Sequence, residues 1–140
     1  LFSGCGLISV CISDFILSAT CFEIDNLSVE YSKKNAKINN KKNLSFYKNN
    51  LYDSLNKNLN NFSSKFWVAN PPRNGLGTEI LALFEKIKPN NLIYSSCNYV
   101  SLTHDLKKII ANGYRISHLS LIDFFPRTHY FETLVKLEKI

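Results

Sequence analysis

Short apolar runs alternate with amphipathic stretches along most of this chain, and that rhythm restricts its fold more than any other feature. Cys21-Phe22-Glu23-Ile24, Leu44-Ser45-Phe46-Tyr47, Phe66-Trp67-Val68-Ala69 and Leu92-Ile93-Tyr94 are too short for helices and read as buried strands. Leu1-Phe2 reads as the last residues of another strand, ahead of the turn Ser3-Gly4-Cys5-Gly6. Helices are expected over 7–18, 27–39, 77–88 and 99–112. The third has Ile80, Leu81, Leu83, Phe84 and Ile87 at helical spacing, and Gly113 closes the fourth. The Asn-, Lys- and Ser-rich stretch 56–64 reads as a loop or frayed helix. Two longer strands, near 115–122 and 132–139, follow with no helix between them. The pattern predicts an α/β fold: a mainly parallel sheet with helices on both faces, closed by a terminal antiparallel hairpin.

Composition narrows the class without naming a function. With 45% hydrophobic and 20% charged residues in 140, the chain has material for one core and one domain. Five glycines and four prolines exclude collagen-like repeats, and the balance excludes plain disorder. A net charge of +6 invites a nucleic-acid reading. Yet the chain has 17 Asn and 14 Lys against 3 Arg, the bias an AT-rich genome imposes on any protein. Charge therefore favours an acidic partner only slightly. The longest apolar stretch, Gly6 to Phe22, contains Asp14 and is too short and polar to span a bilayer, so no membrane partner is expected. Cys5, Cys11, Cys21 and Cys97 form no CxxC pair and have no zinc-like His spacing, which points to reduced thiols, no metal and a cytoplasmic setting.

The polar clusters all follow predicted strands, where ligands sit in sheets of this kind. Gly4 and Gly6 allow a tight strand-to-helix turn with close backbone approach to a ligand, although most such pairs are only turns. Glu23 ends the next strand, where a carboxylate commonly accepts hydrogen bonds from ribose hydroxyls. Asn50 ends the one after. Asn70-Pro71-Pro72-Arg73 fixes an extended, rigid backbone that can aim a polar side chain at a ligand, or can simply stop the strand. Cys97, in Ser96-Cys97-Asn98, stands at a strand end just before a helix, whose N-terminal partial charge favours an anionic sulfur. Asp123 to Glu132 interleaves Phe124, Phe125, Tyr130 and Phe131 with Arg127, Thr128 and His129. Such a run can stack on a planar base, or it can be plain core.

In this order the segments resemble the S-adenosylmethionine-dependent RNA uracil-5-methyltransferases of tRNA and rRNA. That family reads Asp-Leu-Phe-x-Gly-x-Gly, a strand-end Glu, Asp-Pro-Pro-Arg-x-Gly, Ser-Cys-Asn-Pro and Asp-x-Phe-Pro-x-Thr-x-His-x-Glu. This chain has Leu1 to Gly6, Glu23, Asn70 to Gly75, Ser96-Cys97-Asn98 and Asp123 to Glu132. It departs at Asn70 for Asp, Tyr99 for Pro and Tyr130 for His.

The resemblance implies a class I methyltransferase fold and S-adenosylmethionine as cofactor, held by Phe2, Gly4, Gly6, Leu7, Glu23, Asn50 and Asn70. It implies Cys97 as nucleophile, Glu132 as the base that removes a proton, and Arg73, Asn98, Phe125, Thr128 and His129 against the RNA. It further implies a monomer, and one catalytic domain lacking the first part of its opening strand and any N-terminal RNA-binding module. Two other readings stay open. One is a methyltransferase acting on an amide or exocyclic amine nitrogen through Asn70-Pro71-Pro72; the other is an inactive, truncated cofactor- or RNA-binding remnant.

Overall fold

The computed structural model describes residues 1–50 and 64–140, so the expected loop over 56–64 lies, but for Ser64, outside the described residues. The chain divides into two compact units, Leu1–Ser54 and Leu55–Ile140.

In the first unit, α1 (Leu7–Ile12) leads through a 3-10 turn (Ser13–Phe15) to β1 (Ala19–Glu23), α2 (Asn26–Ile38) and β2 (Leu44–Lys48). The two strands pair in parallel, from Ala19 with Leu44 to Glu23 with Lys48. Cys21, Val29, Ala36 and Phe46 form the core, so α2 buries one face and leaves Leu27 and Tyr31 exposed. Burial pushes the Cys21 thiol up, keeping it neutral. Asp25 caps α2 by accepting from the Ser28 N–H at 2.7 Å.

Two expectations fail here. Leu1 and Phe2 are not in a strand: Phe2 takes a left-handed φ of 57°, and the Ser3 N–H donates to the Phe22 carbonyl at 3.0 Å. The first helix stops at Ile12 rather than 18. The Ser13 hydroxyl donates back to the Val10 carbonyl, and the Asn43 amide donates to the carbonyls of Ser13 (2.8 Å) and Ile16 (3.0 Å). Side chains have taken over acceptors that a longer helix needs.

In the second unit, β3 (Phe66–Ala69), α3 (Gly77–Ile87), β4 (Asn91–Ser96), α4 (Tyr99–Ala111), β5 (Tyr114–Ile122) and β6 (Glu132–Lys139) follow the expected order. The sheet order is β3-β4-β6-β5. β3 and β4 are parallel, while β6 runs antiparallel to both β4 and β5. The expected hairpin is thus present, with its second strand inserted beside β4. The apolar face of α3 presents Ile80, Leu81, Leu83 and Phe84 to the core. There the Phe84 ring meets Trp67 edge-on at 5.8 Å and Tyr114 at 4.7 Å. The buried Tyr114 hydroxyl donates to the Pro89 carbonyl at 2.7 Å. Among the described residues, no helix is long and apolar enough to cross a membrane.

Candidate active site

In the first unit the glycine turn is built around Glu23. Gly4 (φ 52°) donates its N–H to one Glu23 oxygen at 2.8 Å, and Ile24 and Asp25 donate to the other at 2.8 and 3.1 Å. These bonds hold the turn against the end of β1 and leave the carboxylate further acceptor capacity. Around the position a Gly4 side chain would take, nothing lies within 4 Å, whereas a Cβ on Gly6 would meet Ser32 at 2.9 Å and the Phe46 ring at 3.0 Å. Gly4 therefore offers open backbone, and Gly6 is needed for close packing of the turn on α2. Leu7 is exposed, and Phe2 and Asn50 are half-buried. Asn50 stands two residues past β2.

In the second unit the sheet direction decides what meets. The β4 ladder with β6 ends at Ser96 opposite Thr133, so Cys97 and Glu132 are the residues immediately beyond that last pair. Because β6 is antiparallel, its first residue lies at the same sheet edge as the last residue of β4. Cys97 is exposed, and Glu132 is half-buried with the Ser95 hydroxyl donating to it at 3.5 Å. Together with Arg73, Phe125, Tyr130 and Phe131 they line a cleft of about 380 Å3.

α4 fixes the loop that follows β3. Asn98 is its N-cap, accepting from the Val100 N–H at 3.0 Å, and its amide donates to the Arg73 carbonyl at 3.0 Å. The Ser101 hydroxyl donates to the same carbonyl at 2.9 Å. One helical turn on, buried Asp105 accepts from the Leu76 N–H (2.8 Å) and the Tyr94 hydroxyl (2.7 Å). The N-cap and two side chains of α4 thus pin the loop carrying Asn70 to Arg73 against the end of β4. Asn70 is exposed just past β3.

The Asp123–Phe131 connection turns at Thr128, whose hydroxyl donates to the Phe125 carbonyl at 2.8 Å and accepts from the Tyr130 N–H at 3.2 Å. Thr128 thus shapes the turn, while Phe125 and His129 present rings, His129 against Tyr130 at 4.1 Å. Sequence reasoning missed Asp105 as the anchor of the loop. Its signal was a carboxylate in line with Leu102 and Ile109, on the buried face of α4.

Comparison with known proteins shows the family and the fold. A family model described as tRNA (uracil-5-)-methyltransferase matches residues 1–140. An uncharacterized RNA methyltransferase of Leptospira interrogans (serogroup Icterohaemorrhagiae serovar Lai, strain 56601) is 37% identical over 139 residues, covering 99% of this chain and 34% of the relative. The 23S rRNA (uracil(1939)-C(5))-methyltransferase RlmD of Marinomonas sp. (strain MWYL1) is 34% identical over 139 residues, covering 99% of this chain and 31% of its own. Among solved structures, the Pyrococcus abyssi tRNA (uracil-54, C5)-methyltransferase in complex with S-adenosyl-L-homocysteine matches with a TM-score of 0.84. Its identity is 25%, over 97% of this chain and 32% of that one. The chain thus spans about a third of the length of the curated relatives it matches. The fold is that of the class I S-adenosylmethionine methyltransferases. With the family model matching from the first residue to the last, the chain belongs to the tRNA (uracil-5-)-methyltransferase family.

Proposed function

We propose that residues 1–140 act as one catalytic domain of an RNA methyltransferase that transfers a methyl group from S-adenosylmethionine to carbon 5 of a uridine in rRNA or tRNA. The observation that carries this reading is Cys97 and Glu132 lining one cleft at the same sheet edge. A nucleophile and a carboxylate together are what methylation of a pyrimidine carbon needs and what methylation of a nitrogen does not.

The residues of the first unit fit a nucleoside cofactor. Glu23 has acceptor capacity for ribose hydroxyls, Gly4 exposes backbone, and Phe2, Gly6, Leu7 and Asn50 belong to the same turn and strand ends. Asn70, in the second unit, is an exposed amide just past β3, without the charge of the family's Asp. When bound, S-adenosylmethionine supplies an electrophilic methyl group on a sulfonium.

The chain's own residues do the rest. The Cys97 sulfur, as thiolate, bonds to carbon 6 of uracil, and the electron pair of the ring double bond moves into an enolate centred on carbon 5. Carbon 5 takes the methyl carbon as that carbon's bond to the sulfonium sulfur breaks, the electron pair leaving with S-adenosylhomocysteine. Glu132 then accepts the carbon 5 proton, the double bond re-forms, and the carbon 6–sulfur bond breaks to return the thiolate. Arg73 and Phe125 line that cleft and position the RNA there, while Asn98 and His129 stand next to it and Thr128 shapes the turn that carries Phe125 and His129.

The test is mass spectrometry of 23S rRNA and tRNA transcripts incubated with the protein and methyl-labelled S-adenosylmethionine. Label in 5-methyluridine supports the reading. Label in a methylated amine would overturn it.

A further inference from the structure

A second cleft, of about 240 Å3, opens beside the first. The two share Arg73, Cys97, Tyr130 and Phe131 as a common wall. Glu132 lines only the first, whereas Asn98, Tyr99 and His129 line only the second. The chemistry proposed above needs both Cys97 and Glu132, so the target uracil takes the first cleft and leaves the second to something else.

The second cleft is walled by flat rings. Tyr99, 63% exposed, stacks on Phe131 with centroids 6.2 Å apart and planes at 13°. The Arg73 guanidinium lies over the Tyr130 ring, 5.4 Å from its centroid, and the His129 and Tyr130 ring centroids are 4.1 Å apart. Single-stranded nucleic acid is held by this combination, bases on aromatic faces with a cation near the backbone. Tyr99 and Tyr130 stand where the family motifs quoted above have Pro and His, so two of the rings lining this cleft are departures from that pattern.

From this we infer that the second cleft is a stacking subsite for the base of the nucleotide adjacent to the target uridine. Tyr99 and Tyr130 are its platforms, and Arg73 sits between the two bases. The subsite rests on the uracil-5 reading, because that reading assigns the first cleft to the target. Stacking tolerates any base, so the subsite selects an unpaired neighbour rather than a particular sequence.

The test measures dissociation constants of the full chain for a fluorescent single-stranded pentaribonucleotide with a central uridine. Two matched oligomers lack the base immediately 5′ or immediately 3′ of it. Removing the stacked neighbour should weaken binding about fivefold or more, and the oligomer affected reports the side. Tyr99→Ala should weaken the intact oligomer similarly and the matching abasic one not at all, while Tyr99→Phe keeps wild-type affinity. Equal losses on intact and abasic RNA, or indifference to both missing bases, overturn the subsite. Covalent capture of the same oligomers with 5-fluorouridine at the centre separates the two claims. Absent capture with the Tyr99 coupling intact removes the uracil-5 reading alone, and capture without coupling removes the subsite alone.

Discussion

Replacing Asp105 with alanine tests how the candidate site is held in shape. Its carboxylate is buried and accepts from the Leu76 N–H at 2.8 Å and the Tyr94 hydroxyl at 2.7 Å, joining α4 to the loop after β3 and to β4. A hydrogen bond to a charged group contributes about 1.5–3 kcal/mol, so two sum to about 3–6 kcal/mol. Relief from burying the carboxylate offsets part of that, leaving a net destabilisation of about 2–4 kcal/mol for Asp105→Ala. Tyr94→Phe removes one donor and leaves the other, and should cost about 1–2 kcal/mol. Urea denaturation at unchanged slope reads both values, and the double variant should fall short of their sum because the two share one bond. Amide exchange adds a local readout: Leu76 should lose protection in Asp105→Ala while Leu92 and Val135 in the sheet keep theirs under native conditions. Wild-type midpoints for Asp105→Ala, or a protected Leu76, would refute the anchoring role.

Three other outcomes follow from the same contacts. Gly75→Ala places a Cβ 2.6 Å from the Asp105 carboxylate at a φ of +83°, and should cost about 2 kcal/mol or more; in the Asp105→Ala background its urea-midpoint loss should shrink. Hydrogen bonds from Ser28, the hydroxyl's foremost, hold the Asp25 carboxyl below its usual range. Its contribution is therefore complete above the unfolded carboxylate value and fades as pH falls through the lower folded one; urea midpoints measured from neutral to acid pH should show less of this decline in Asp25→Asn, which keeps an N-cap. Glu132→Gln should form a methylated RNA adduct that releases slowly, seen as a persistent shifted band on denaturing gels, whereas fast turnover would remove Glu132 as the base.

Much of this architecture was legible because apolar periodicity is local. The strand at Phe66–Ala69 and the helices beginning near Gly77 and Tyr99 fall where spacing put them. The rest depended on contacts distant in sequence. α1 ends early because Asn43 reaches back to the carbonyls of Ser13 and Ile16. β6 lies between β4 and β5, and a hairpin pattern alone says nothing of which strand its outer edge will meet. That insertion brings Glu132 level with Cys97, so their meeting was expected from motif resemblance rather than from spacing. The Tyr99–Phe131 stack and the Asp105 anchor each join residues that only the folded sheet brings together.

The central claim is that Cys97 attacks a uracil ring. 5-Fluorouridine in RNA replaces the proton Glu132 would remove, so a methylated adduct on Cys97 cannot resolve and should survive denaturation. Incubating the protein with S-adenosylmethionine and 5-fluorouridine-containing RNA should give a denaturation-resistant complex whose RNA-linked peptide maps to Cys97 and which vanishes in Cys97→Ala. Undiminished capture by Cys97→Ala, or linkage through another cysteine, would contradict the account.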